Sequence, residues 1–342
     1  MIDILVFFIG ASLLLYVLLG GSDYGAGILE LLPGPASLRE RQKHVINEAM
    51  GPVWEANHMW LILIVVILFM GFPMIFTTLM VALHIPMLAL LLGIVVRGAA
   101  FTFRHYDAIQ DEKSQRLYTC LFGLSSLWTA LWLGIIAASL NRGIIDPQAT
   151  SVWAAYMAPW WGWYPLAVGV FVACIFVFLA SIYLISETTE PLLTRRFKRM
   201  AAVSNCLVII AGGVVFAASL AERESLSAVF FRRPPTVTVM IAATALFAAL
   251  WFAVRARRGW LTRVVAGGQV SLILIGWLLL YAPDAVTTVS GPLSFYEQAA
   301  PEATLRQLVL ALLVGSVFIF PSLFFLLRVF KTKTPGADDN DM

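Results

Sequence analysis

GPVWEANHMWLILIVVILFMG, residues 51–71, sets a carboxylate, an amide, an imidazole and two indoles directly before an unbroken run of Leu, Ile, Val, Phe and Met. A helix that crosses a bilayer needs roughly 20 predominantly apolar residues, and this stretch supplies them over about 52–72. Eight further segments meet the same test, near 4–31, 74–103, 117–140, 162–186, 200–221, 236–254, 262–282 and 305–329. With 60% hydrophobic and only 13% charged residues among 342, the chain reads as an integral membrane protein. No segment alternates as a barrel strand does, so the expected fold is all-α with nine transmembrane helices. Short connections make it a single membrane domain over 1–342, ending in a polar tail at 330–342 that is expected to be cytoplasmic.

Basic residues are retained on the cytoplasmic side of a membrane. With the N-terminus out, most of the 23 Lys and Arg fall in inner loops, among them Arg39, Arg41, Lys43, Arg104, Arg195, Arg196, Arg257 and Lys331. Only Arg142, Arg223, Arg232, Arg233 and Arg306 lie outside, and Arg97 lies within a span. The expected topology is therefore N-terminus out and C-terminus in. The net charge of +3 reflects topology and implies no nucleic-acid partner. The first segment lacks a basic n-region and is read as a retained helix. Cys120, Cys174 and Cys206 lack metal-ligand spacing and are expected to be buried and structural. No nucleotide-binding glycine pattern, zinc spacing, catalytic Ser or Cys signature or internal repeat appears. Of the outer loops, 141–161 carries the aromatic cluster WAAYMAPWW, expected as an interfacial belt, and 283–304 reads as solvated loop.

Ionisable residues within spans cost at least about 2.5–3.5 kcal/mol each on insertion scales, and their distribution is lopsided. Asp23, Glu55, His58, His84 and Arg97 all lie in the first three spans, whereas the last five have Asn205 and Gln269 but no acid or base away from their ends. Loop charges place Asp23, Glu55 and Arg97 in the cytoplasmic third, and His84, just before Pro86, is expected near mid-membrane. On a helical wheel Trp54, Glu55, Asn57 and His58 share one arc, which should face protein or water as an inward polar stripe. In GGSDYGAG, Gly21 and Gly25 form a small-xxx-small pair that lets Asp23 meet a neighbouring helix. Two acids and one base leave one acid unpaired, and an unpaired buried acid can exchange a proton near neutral pH. Glu55 thus reads either as a proton carrier or, with Asp23, as a structural counter-charge to Arg97. His58 reads as a hydrogen-bonded link in the same path or as a haem ligand with His84 as partner. Trp54 and Trp60 read as packing residues.

GGSDYGAGILEL (20–31), GPVWEANHMWLI (51–62) and VVRGAAFTFRH (95–105) resemble subunit II of the cytochrome bd quinol oxidases, and the nine-span layout extends the resemblance over the whole chain. The resemblance implies two four-helix bundles plus a peripheral helix, in a bacterial inner-membrane complex that oxidises quinol and reduces oxygen to water with protons from the cytoplasm. It places haem b558, haem b595 and haem d in a partner subunit I, leaving this subunit haem-free. It assigns the position of Glu55 to a proton path, puts Asp23 near that path and sets Trp60 beside an oxygen route in some members. Some members also hold a structural quinone here, or carry a small single-span subunit beside the quinol pool and membrane lipid. The chain departs from members that have Asp at position 55, Gln at 58 or an acid at Thr102. The expected function is oxidase subunit II with Glu55 as proton carrier, Asp23 as entry-side acid and Arg97 as electrostatic partner. The rivals are a proton-coupled secondary transporter, which needs interrupted helices with matching motifs in two halves, and a scaffold whose ionisable groups only fix helix register.

Overall fold

The computed structural model describes residues 1–331 except 33, 52–53, 107–110, 223–225 and 256–258. The polar tail, most of which follows residue 331, lies outside the described residues, as do Pro33 and part of the GPVW motif.

The first span comprises α1 (Ile2–Leu15), a π-helical turn (Tyr16–Gly20) and α2 (Gly21–Glu30). It is followed by α3 (Ala36–Met50), α4 (Trp54–Gly71), α5 (Pro73–Ala82), α6 (His84–Tyr106) and α7 (Glu112–Ser139). The second half holds α8 (Val152–Tyr156), α9 (Trp163–Ile185), α10 (Pro191–Ala221), α11 (Leu226–Arg232), α12 (Pro234–Arg255) and α13 (Gly259–Tyr281). The strands β1 (Asp284–Thr288) and β2 (Gly291–Ser294) and the helix α14 (Glu302–Lys331) complete the chain. Among the described residues nine helices are long and apolar enough to cross a membrane.

The α9 span lies at the centre, against α2, α7, α10 and α13. Its most apolar window is 56% buried within the protein, against 17% for those of the first and last spans. Phe176 and Phe178 of α9 anchor the largest core, with Tyr16 and Tyr24 from the first span and Val208 from α10.

The segment expected as one span over 74–103 divides into α5 and α6, with Leu83 between them at φ −113° and ψ 20°. Pro86 is the cause: it has no N–H to donate, and its ring would clash with the carbonyl of Ala82 in a helix running through. His84 therefore opens a membrane span instead of lying at its middle. Its Nδ1 is 2.9 Å from the Val81 carbonyl oxygen, and its ring meets Tyr156 edge-on at 4.9 Å.

The connection after the first span forms α3, whose Ile46 and Met50 pack with Leu184, Leu193 and Phe197 at one end of the bundle. At the opposite end, part of the segment read as solvated loop forms a β-hairpin. Val286 pairs with Leu293 and Thr288 with Gly291, and Gly291 has φ 129°, a backbone conformation that L side chains rarely adopt. Val286 is fully buried, and the hairpin is tied to the α7 end by a 2.8 Å bond from Thr287 N–H to the Leu140 carbonyl. Beside it, in the aromatic loop, Trp153 and Trp161 are exposed while Trp160 is buried edge-on against Trp132. Cys120 and Cys206 are exposed and Cys174 half-buried, so the expected burial of the cysteines does not hold. An apolar thiol on a lipid-facing surface needs no cover from protein.

Candidate functional site

Asp23 and Arg97 are each 1% exposed and form an ion pair of 2.5 Å between α2 and α6. The neighbour that α2 packs closely is α9, against which it sets glycines. A Cβ on Gly25 would lie 1.9 Å from the Phe176 carbonyl oxygen, and one on Gly21 would lie 2.6 Å from the Phe176 ring. The small-xxx-small pair thus seats α2 against α9, as its spacing predicts, and leaves Asp23 facing Arg97 of α6. Arg97 also donates from Nε to Ser126 Oγ at 3.1 Å. Its guanidinium lies 4.8 Å from the centre of the Tyr24 ring and 4.9 Å from that of Phe122. Aromatic faces offset part of the cost of desolvating a guanidinium.

Around this pair the polar groups are incompletely satisfied. Neither Asp23 carboxylate oxygen accepts a well-aligned hydrogen bond among the described residues, and buried His58 Nδ1 and Trp60 Nε1 have no partner. Buried atoms of this kind hold ordered water where the site is polar and roomy. Tyr24 connects the groups, with its hydroxyl 2.9 Å from that of Tyr16 and its ring edge-on to His58 at 6.2 Å. The π-turn contributes as well. The Leu19 carbonyl accepts from Ser22 Oγ at 2.8 Å and from Asn57 Nδ2 at 3.5 Å, which ties the start of α4 to the first span. A π-turn shifts the backbone hydrogen-bond register by one residue, and such turns recur at functional sites.

The arc on α4 divides. Asn57 and Trp60 are buried, Trp54 and His58 half-buried, and Glu55 exposed. The inward polar stripe is therefore replaced by a helix whose wall side carries Asn57 and His58, while Glu55 stands on the open side with Met59, Ile62, Val66 and Phe69. The stripe fails because Glu55 and Asn57 are two positions apart, about 200° on a helix, and tertiary packing seals only one of the two directions. Among the described residues Arg97 pairs with Asp23 and not with Glu55, so Glu55 is the acid left over. Trp54 packs against Phe101 at 5.4 Å and His58 at 6.4 Å, and Trp60 against Phe320 at 6.3 Å. Thr102 is exposed.

His58 and His84 lie toward opposite ends of the bundle. His58 is in the first turns of α4, and His84 opens α6, beyond the far end of α4. Thirteen residues separate His58 from Gly71, about 20 Å of helix, so the two cannot ligate one haem iron and the bis-histidine expectation is withdrawn. Among the described residues no group of three or more His, Cys, Asp or Glu could hold a metal.

A second ion pair escaped the sequence reading. Arg104, counted above as a loop residue, has a side chain 1% exposed and pairs at 2.7 Å with Glu30, 3% exposed. Its Nη2 also donates to Asn47 Oδ1 of α3. The available signal was spacing. Asp23 and Glu30 are seven residues apart on one helix, Arg97 and Arg104 seven apart on another, and seven residues return to nearly the same face.

The profile of the family described as cytochrome bd terminal oxidase subunit II matches residues 1–330. The chain is 24% identical over 323 residues to cytochrome bd ubiquinol oxidase subunit 2 of Bacillus subtilis (strain 168), covering 93% of this chain and 92% of that protein. With cytochrome bd-I ubiquinol oxidase subunit 2 of Escherichia coli (strain K12) it shares 21% identity over 136 residues, 40% of this chain and 35% of that one. A chain in the structure of bd oxidase from Geobacillus thermodenitrificans has the same fold, with TM-score 0.74 at 16% identity over 97% of this chain and all of that one. The transporter alternative has no support in these matches. With the family profile running through all nine spans, this chain belongs to the cytochrome bd terminal oxidase subunit II family and is part of a quinol oxidase complex.

Proposed function

We propose that this chain is the haem-free subunit of its oxidase and carries protons toward haems held by subunit I, with Asp23 and Glu55 as carriers. The observation behind this reading is the buried Asp23–Arg97 pair, with Tyr24 between Arg97 and a His58 whose Nδ1 has no partner among the described residues, beside the helix that presents Glu55 on its open face. A carboxylate on an otherwise apolar face is costly in lipid, by about 2.5–3.5 kcal/mol on insertion scales. Contact with the partner subunit, or access for water, removes that cost. Asp23 receives the proton, Arg97 balances the charge left when it departs, and Glu55 is the group nearest the partner. His58, between Tyr24 and Trp54, links the two acids, and Asn57 fixes α4 against the first span. Trp54 and Trp60 wall the site.

On this reading the α3 end faces the cytoplasm of a bacterial inner membrane and the hairpin end faces out, in line with the distribution of Lys and Arg. The family resemblance supports haem b558, haem b595 and haem d in subunit I, two four-helix bundles with α14 peripheral, and quinol as electron donor. It also supports a structural quinone and a small single-span subunit as further components.

The test is Glu55→Gln in the purified two-subunit complex. Haem absorbance per protein is expected to stay at the wild-type level, while oxygen reduction and generation of membrane potential fall. Full activity in that variant overturns the proton role of Glu55.

A further inference from the structure

We infer that Glu30, clasped by Arg104, is the proton-loading carboxyl at the α3 end of the path, one rung before Asp23 on the same helix. This rests on the proton-carrying function proposed above and extends it by naming the group that receives protons first.

The two ion pairs form a ladder. Both helices run from the hairpin end toward the α3 end, so equal seven-residue offsets place Glu30–Arg104 about 10 Å beyond Asp23–Arg97 on the matching faces. Phe122, fully buried, separates the two guanidiniums, 4.9 Å from Arg97 Cζ and 4.7 Å from Arg104 Cζ. The lower rung is incompletely satisfied. Glu30 Oε1 and Arg104 Nε are buried and have no hydrogen-bond partner among the described residues. An ion pair serving structure alone gains from having its remaining lone pairs and protons satisfied.

Glu30 also has an approach and an exit. On the approach, Lys43 of α3 is half-buried, with Nζ 3.4 Å from Gln115 Oε1, and Gln115 Nε2 donates to the Arg104 carbonyl at 3.3 Å. Together with Asn47, these groups carry polar atoms from the open side of α3 to the buried carboxylate. On the exit, Gly27 lies between the two acids along α2. A Cβ there would sit 2.2 Å from Ser126 Oγ, so only glycine leaves this hydroxyl against the helix, and Ser126 is the residue to which Arg97 donates. The charged groups facing Glu30 are Arg104 and Arg97 from α6 and Lys43 from α3, and α7 contributes the neutral Gln115.

The transfer moves protons only. Glu30 carboxylate gains a proton from water on the α3 side, forming a carboxyl O–H. It then releases that proton past Ser126 to the Asp23 carboxylate, which restores its own charge against Arg104. No electron moves, and the net change is one proton carried one rung inward.

Glu30→Asp, Glu30→Gln and the double variant Glu30→Gln/Arg104→Met separate this role from a structural one. The double variant removes both charges together, so it is expected to assemble with wild-type haem absorbance while oxygen uptake and proton uptake fall about tenfold or more, as on loss of a positioned proton-transfer group. Wild-type rates in the assembled double variant overturn the inference. Glu30→Asp keeps the ion pair and gives a test independent of how the other variants fold. In infrared difference spectra of the turning-over complex, a protonated-carboxyl band is expected to shift in this variant, whereas a permanently ionised pair gives no band and no shift. An unshifted spectrum also overturns the inference. Glu55→Gln and Asp23→Asn in the same preparations show where a failure lies. If they are slow and the Glu30 variants are not, only this inference fails; if they run at wild-type rates, the proposed path itself fails.

Discussion

Asp23→Asn should be among the most destabilising single changes in the chain. The ion pair it breaks lies between side chains each 1% exposed and 2.5 Å apart. With the charge centres about 4 Å apart and an effective dielectric of about 20, the Coulomb attraction is about 4 kcal/mol. Removing one partner of a buried pair costs about 3–5 kcal/mol, because the survivor is left uncompensated. Here the survivor is a guanidinium, which cannot shed its charge, although Ser126 and the Tyr24 and Phe122 rings still hold it. We expect the lower end, about 3 kcal/mol. Arg97→Met should cost less, because a lone carboxyl can be neutralised by a proton. Asp23→Asn/Arg97→Met should recover much of the loss, since replacing a buried pair by uncharged groups is often close to neutral. The assay is thermal denaturation of the detergent-solubilised complex, followed by loss of haem absorbance. About 3 kcal/mol corresponds to roughly 4 °C for a chain of 342 residues, at about 2.1 cal/mol/K of unfolding entropy per residue. An Asp23→Asn complex within about 2 °C of wild type, or a double variant no more stable than Asp23→Asn, would refute the buried-pair argument.

Three further outcomes follow from the same structure. Gly25→Ala drives a methyl into the Phe176 carbonyl, so assembled complex should fall sharply, whereas Gly10→Ala, with open space around its Cβ position, should be silent; quantifying haem-loaded complex in membranes checks both. His84→Ala should leave every haem band unchanged, because His84 lies at the far end of the bundle from His58 and bonds the Val81 carbonyl; loss of a b-type band would contradict that placement. Burial, and then the charge of Arg104, lower the pKa of Lys43 from the ordinary lysine value. The folded chain thus holds fewer protons on this amine than the unfolded chain, and stability should rise with pH through the window between the two pKa values. Lys43→Met should flatten that rise, as read from thermal denaturation at a series of alkaline pH values.

Length and hydropathy alone determined the membrane class and an all-α fold with nine apolar helices, because the need to satisfy backbone polar groups in lipid leaves few alternatives. The site's residue types were equally legible, since ionisable groups in apolar segments are too costly to be incidental. The glycine spacing in GGSDYGAG likewise announces a close helix contact. Their pairing was not legible. Which acid meets Arg97 depends on where α2 is pressed against α9, and that approach seals Asp23 in while Glu55, on a neighbouring helix, is left at the surface. Arg104 looked like a topology signal because charge counting cannot tell a loop from a buried helix end covered by α3. His84 looked central because a single apolar run conceals the break at Pro86. Sequence fixes what each residue costs in lipid; which residues share that cost is decided only when the helices pack.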